Sequence, residues 1–189
     1  FLHAGPGYGG SCFPKDTLAL VKTAQEAGAP TKIVETVVDI NNHRKVEMAD
    51  KVITACGGSV KDKTIAILGL TFKPNTDDMR DSPSLVIIPE LQKSGAKIKA
   101  FDPQGMREAK KYLQNVVFCK GPYEAMDGAH AVVIITEWNA FRALDLVRVK
   151  SLLKTPILVD LRNIYNLNEM EKAGFVYYSI GRKELKIGS

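Results

Sequence analysis

The run Ala131-Val-Val-Ile-Ile-Thr136 constrains the fold more than any other stretch of these 189 residues. It shows no polar alternation, so it suits a strand buried on both faces, which points to the middle of a parallel sheet. Parallel neighbours need long crossover connections, usually helices, and the chain from about Lys61 onward supplies them. Lys63–Gly69, Ala96–Asp102, Val116–Phe118, Pro156–Asp160 and Phe175–Ile180 read as further strands. Helical patterns over Pro83–Ser94, Met106–Leu113, Tyr123–Met126 and Asn168–Ala173 alternate with them. The expected class is α/β, with a Rossmann-like parallel-sheet domain over 59–189.

Residues 1–58 have a different texture. Thr31 to Cys56 reads as one helix, about 39 Å long at ~1.5 Å per residue, stopped by Gly57-Gly58. Its apolar positions, among them Ile33, Val37, Ile40, Met48 and Val52, cover more than one stripe. Such a helix is expected to be buried on two sides and to join two bodies, either two domains or two subunits. In front of it lies a glycine-rich stretch, with Gly5, Gly7, Gly9 and Gly10 close together ahead of Ser11-Cys12-Phe13-Pro14-Lys15-Asp16. Pro14 is favoured at a helix start, and Thr17 to Gly28 reads as a helix. Cys12 is therefore expected at a helix N-terminus, where the dipole and free N–H groups favour a thiolate. The alternative is an ordinary buried small residue. Lys15 and Asp16 place one charge of each sign within a helical turn of the thiol.

The composition excludes some classes of function. No apolar run approaches the ~20 residues of a membrane-spanning helix, and no basic stretch followed by an apolar core marks a signal peptide. The three cysteines lack framework spacing, which points to a reducing compartment, by default the cytoplasm. The net charge of +5 comes from scattered side chains without interleaved aromatics. A nucleic-acid platform would need such interleaving, and a small anionic ligand, such as a nucleotide diphosphate, suits the excess just as well; charge alone does not decide between them. His3, His43 and His130 are too scattered for a metal site, so no metal is expected. The opening on Phe1, inside a glycine loop, reads as the cut edge of a longer protein.

Ligands of open α/β sheets sit beyond the carboxyl ends of the strands. Three loops qualify. The first, Gly69 to Ser82, lacks Gly-x-Gly-x-x-Gly but offers Phe72 for stacking and Lys73 and Arg80 for phosphate, with Asp77, Asp78 and Asp81 as solvated loop residues. The second carries Glu137 and Trp138, which either face the ligand or cap the next helix. The third places Arg162 on the same rim, where an arginine can hold a diphosphate bidentately.

Gly7-Tyr-Gly-Gly-Ser-Cys-Phe-Pro-Lys-Asp16, then a long helix, then Gly69-Leu-Thr-Phe-Lys73 with Arg80, then Asp160-Leu-Arg162, resemble the UDP-glucose/GDP-mannose dehydrogenase family. The resemblance spans this whole chain but only the C-terminal part of the family's length. It implies an NAD-binding domain elsewhere, a long helix that makes a homodimer (here 31–56), and a nucleotide-sugar site on the Rossmann-like domain. It further implies that Cys12 captures a C6 aldehyde as a thiohemiacetal, that hydride loss gives a thioester, and that water hydrolyses it. Asp16 would serve the water or proton steps. Lys15 and Arg80 would face the NAD cofactor, and Phe1, His3, Tyr8, Gly9, Phe72, Lys73 and Arg162 the substrate. The stretch Phe1 to Tyr8 resembles the family's UDP-glucose branch more than its GDP-mannose enzymes. The resemblance leaves two rivals: another nucleotide-sugar 6-dehydrogenase, or a non-catalytic nucleotide-sugar-binding or dimerisation module. The other catalytic groups would lie outside these residues, so the chain alone is expected not to turn over.

Overall fold

A computed structural model describes residues 3–186; Phe1, expected above as a substrate contact, lies outside them. Six strands form one sheet: Thr64–Leu68 (β1), Lys97–Phe101 (β2), Val116–Phe118 (β3), Ala131–Ile134 (β4), Ile157–Asp160 (β5) and Val176–Ser179 (β6). Their order is β3-β2-β1-β4-β5-β6, and all neighbouring pairs are parallel. This is the doubly wound order in which the chain reverses between β1 and β4. Alternate strand residues feed two apolar layers. Ile65, Ile67, Val133 and Val159 pack on helix residues such as Val52 and Ile87. Ala66, Leu68, Val132, Ile134 and Leu158 pack on Met126, Phe141 and Tyr177.

The helices are Cys12–Glu26 (α1), Lys32–Ala55 (α2), Ser84–Lys93 (α3), Met106–Tyr112 (α4), Pro122–Met126 (α5), Asn139–Arg142 (α6), Leu146–Leu152 (α7) and Leu167–Ala173 (α8). Every strand expected from the sequence is present. After β4 the sequence reading implies a helix but gives it no bounds; the crossover to β5 holds two, α6 and α7. Both helices are short, so neither offers enough turns for a periodic stripe. The readable sign was Asp145, whose carboxylate accepts hydrogen bonds from Val147 N at 3.0 Å and Arg148 N at 3.2 Å and so caps α7. The start of α1 is also corrected: Cys12 is its first residue, and Pro14 lies within the first turn.

The long helix is buried differently from the two-sided expectation. Its second half, through Met48, Ala49 and Val52, packs on the sheet domain. Its first half pairs with α1 and leaves Ile33 82% and Ile40 59% exposed. α1 buries only Pro14. The two helices therefore form an arm with an open apolar surface.

Candidate active site

The loops after β1, β4 and β5 meet at the carboxyl edge of the sheet. Gly69 makes the crossing of the first two possible. Its φ is +87°, and a Cβ there would lie 2.6 Å from Thr136 N, which excludes any other residue. Thr136 Oγ1 donates to Thr71 O at 2.6 Å, and the hydroxyls of Ser82 and Ser84 both donate to Leu70 O. The β1 loop is thus a rigid platform despite its polar composition.

The carboxylate at the end of β2 is turned inward. In a dinucleotide-binding Rossmann half, an acidic residue about 20 residues past the glycine fingerprint takes the ribose hydroxyl. Asp102 is 1% exposed, and both of its oxygens are occupied. Oδ2 accepts from Leu70 N (2.7 Å) and Trp138 Nε1 (3.1 Å), while Oδ1 accepts from Gln104 N and Gly105 N. With the glycine fingerprint also lacking, this sheet does not fit a dinucleotide bound in the usual way. Trp138, one of the two ligand-or-cap candidates, is committed to Asp102 and precedes α6.

The glycine loop docks on this platform. Gly10 N donates to Arg80 O at 2.8 Å. A Cβ on Gly9 would lie 2.3 Å from Asp81 O, so the two backbones touch only because Gly9 has no side chain. The Phe72 ring lies against Gly10 and serves as a floor for the loop, and Lys73 Nζ sits 5.3 Å above its centroid. Tyr8 packs edge-on against Phe13 at 4.7 Å. From the other side, α2 holds the loop through Asn41 and Arg44, while Lys45 donates to Asp81 O of the β1 loop.

Cys12 emerges from this loop exposed, as the first residue of α1, with Ser11 Oγ 3.9 Å from its sulfur. Cys56 and Cys119 are buried, and burial pushes both thiols up. Arg80 carries the Gly10 amide on its carbonyl, and its side chain senses Cys12 electrostatically, more weakly than it does Asp78. Its guanidinium is gripped bidentately by Asp78, Nε to Oδ1 at 2.9 Å and Nη2 to Oδ2 at 2.7 Å. These hydrogen bonds are the main reason the arginine is held above its usual range and the aspartate below its own, with the Cys12 charge adding a smaller part for Arg80. Asp78 is therefore an arginine partner and not a solvated loop residue, a correction to the sequence expectation. Lys15 and Asp16 lie on the exposed face of α1 and pair with each other at 3.5 Å.

Arg162 sits at the centre of the rim, with 12% of its side chain exposed. Nε donates to Ile135 O at 2.7 Å, Nη2 to Phe72 O at 3.3 Å, and the guanidinium lies 3.0 Å from Glu137. Burial lowers its pKa and Glu137 partly restores it; a guanidinium stays charged regardless. Glu137 Oε2 is buried and accepts no hydrogen bond among the described residues. Arg162 divides two clefts. One, of about 430 Å³, lies between the glycine loop and Val37, Ile40, Asn41 and Arg44 of α2. The other, of about 470 Å³, is lined by His3, Ala4, Glu137, Arg142, Arg162, Asn163 and Arg182. His3 borders both. Four arginines against one glutamate make this rim strongly anion-seeking.

Of the residues singled out from the sequence, the structure places Cys12, Arg80 and Arg162 around the glycine loop. The sequence reading passes over Asn41, Arg44, Lys45, Arg142 and Arg182, which border the same loop and rim. The available sign for the first three was a polar pair, Asn41 and Lys45, four residues apart on a helix face that otherwise buries apolar side chains. Among the described residues no group of His, Cys, Asp or Glu is placed to hold a metal ion, and no helix is long and apolar enough to cross a membrane.

Comparison with known proteins supplies the relationship. The family model described as "UDP-glucose/GDP-mannose dehydrogenase family, UDP binding domain" matches residues 66–167, and that of the same family's central domain matches 1–43. A UDP-glucose 6-dehydrogenase of Rhizobium meliloti (strain 1021) is 59% identical over 184 residues, 97% of this chain and 42% of that protein. The UDP-glucose 6-dehydrogenase TuaD of Bacillus subtilis (strain 168) is 48% identical, over 98% of this chain and 40% of its own length. The solved structure of a UDP-glucose dehydrogenase from the hyperthermophilic archaeon Pyrobaculum islandicum superposes with a TM-score of 0.77 at 30% identity, covering 92% of this chain and 38% of that one. The chain thus spans about two fifths of the length of the curated relatives it matches. With its UDP-binding and central-domain signatures in sequence order on this fold, the chain belongs to the UDP-glucose/GDP-mannose dehydrogenase family.

Proposed function

We propose that these residues form the thiol-bearing and nucleotide-sugar-binding part of an NAD-dependent UDP-glucose 6-dehydrogenase. The observation that carries the reading is the exposed Cys12 at the first position of α1, on a glycine loop that docks on the Arg80 carbonyl and borders a cleft shared with Arg44 and Arg162. Residues 1–58 supply the nucleophile and the helical arm, and 59–189 hold the nucleotide. Arg162 takes the diphosphate with His3, Tyr8, Gly9, Phe72 and Lys73 around it. Phe1 belongs to the same substrate group.

The chemistry follows from the thiol. Loss of a hydride from C6, with the proton of its hydroxyl, turns the alcohol into an aldehyde; Cys12 Sγ then adds to that carbon, and the carbonyl oxygen takes a proton, giving a thiohemiacetal. Loss of hydride from that carbon, with the hydroxyl proton, leaves a thioester. Water then adds, and the thiol departs from a carboxylate. Asp16 handles the protons of the water step. NAD, when bound, accepts the hydrides, and Arg80 and Lys15 are the residues here that face it. Because Asp102 is internal and the glycine fingerprint is lacking, the dinucleotide is bound chiefly by residues outside these 189. The isolated chain therefore binds nucleotide-sugar without oxidising it.

The apolar side chains of the arm point to a homodimer through the 31–56 helix. The free cysteines suit the cytoplasm. The decisive test is Cys12→Ser in a polypeptide that also carries the NAD-binding part. Uronate formation should vanish, and retained turnover would refute the mechanism. Calorimetry on this chain should rank UDP-glucose above UDP-N-acetylmannosamine and GDP-mannose; a guanine preference would overturn the branch assignment.

A further inference from the structure

Asn41 and Lys45 are 7% and 5% exposed, one turn apart on α2, and both are spent on backbone atoms of other segments. The Asn41 amide accepts from Tyr8 N at 2.8 Å and donates to Tyr8 O at 3.2 Å, as a neighbouring strand would. Between them Arg44 Nε donates to Gly5 O at 2.8 Å. Lys45 Nζ donates to Asp81 O at 3.2 Å. Asp81 is a non-glycine residue with a φ of +50°, and its carbonyl is the atom that meets Gly9. The adjoining carbonyl, of Arg80, takes the Gly10 amide. A connected path therefore runs from α2 through the 80–81 turn and Gly10 to Cys12.

A buried ammonium whose hydrogen bond goes to a neutral carbonyl is an expensive way to fill a core. Burial lowers the Lys45 pKa, and the Asp81 charge only partly opposes it. An apolar residue would pack there at lower cost, so stability does not account for a lysine. We propose that Asn41 and Lys45 are positioning residues for the thiol: they lock the glycine loop and the 80–81 turn so that Cys12 is presented beside Arg80 at the head of α1. The importance of this clamp rests on the reading of Cys12 as the nucleophile, but its existence does not.

Two readouts on this chain test it: amide hydrogen exchange, and site-resolved iodoacetamide alkylation of Cys12 near neutral pH. In Lys45→Met, exchange at Gly10 should accelerate by about tenfold or more, with Ile65–Leu68 unchanged. In Asn41→Ala, Tyr8 should behave in the same way. Alkylation of Cys12 should fall by at least about threefold in both variants, because the released loop leaves Arg80 and the helix terminus. Lys45→Arg should recover most of the lost rate. The melting temperature of Lys45→Met should not fall. A Cys12 rate equal to the parent's in both variants overturns the proposal. So does an equal loss of protection in β1, which would make the pair merely structural. Should Lys45→Met fail to fold, Asn41→Ala decides by the same readouts. If the parent's Cys12 reacts no faster than Cys56 and Cys119, the nucleophile reading fails, while the exchange measurements still judge the clamp.

Discussion

In α1 only Pro14 is buried, whereas every residue of β4 and β5 is. The difference separates a part of the molecule that orders itself from one that needs company. The sheet domain buries two continuous apolar layers and has its own hydrophobic driving force, at roughly 25 cal/mol per Å² removed from water. The arm leaves Leu18, Leu20, Ile33 and Ile40 each at least half exposed. Isolated helices of about 15 residues are marginal in water, so the arm depends on a hinge of polar contacts and on whatever covers its apolar face. The thiol loop lies at that junction, held by α2 on one side and by the β1 loop on the other.

The largest effect should come from the sheet. Phe141 is fully buried, and Phe141→Ala should cost about 3–5 kcal/mol by denaturant titration; a loss below about 1 kcal/mol would mean the layer repacks freely. At the junction, Gly9→Ala forces a methyl group to within 2.3 Å of Asp81 O. The loop should lift off, with a global cost of about 1 kcal/mol, loss of Gly10 amide protection and weaker UDP-glucose binding. Intact protection would show that the loop is not docked as described. In the arm, Ile33→Ser should change the chain's own stability by no more than about 0.5 kcal/mol. It should nevertheless weaken self-association by about tenfold in sedimentation if the proposed dimer forms through α2. A monomer in the parent at high concentration would remove that arm of the comparison.

The smallest effect concerns Asp78. Arg80 holds its carboxyl below the ordinary range. A depressed folded-state pKa contributes stability above the unfolded value, about 3.9, and that contribution is lost as pH falls through the folded value. Asp78→Asn should therefore lower stability slightly at neutral pH, converge on the parent in acid, and so flatten the acid limb of the stability profile below about pH 4. A steep acid limb in the variant would assign acid sensitivity to other carboxylates.

The strands were legible because a buried parallel strand has a signature in composition alone, as in Ala131–Ile134. The bounds of α6 and α7 were not, since four and seven residues, about one turn and two, show little or no apolar period. Cys12, Arg80 and Arg162 were legible because a thiol after a glycine loop, or a cation at a strand end, carries its chemistry in its type. Asn41 and Lys45 were not, because both read as ordinary polar residues of a helix. Asp78 looked solvated because nothing local shows that the turn folds its carboxylate onto the guanidinium two residues on.

The sequence by itself determined the strand–helix alternation and the presence of a glycine-delivered thiol, since periodicity, breakers and residue type are local properties. Only the tertiary structure decided which carboxylates are internal, which cations remain open to an anion, and what grips the thiol loop. Those outcomes depend on contacts between segments far apart in the chain, such as Tyr8 with Asn41, Gly10 with Arg80 and Phe72 with Arg162. No local pattern encodes a distance between such segments. It is fixed when the sheet closes and brings its loops to one edge.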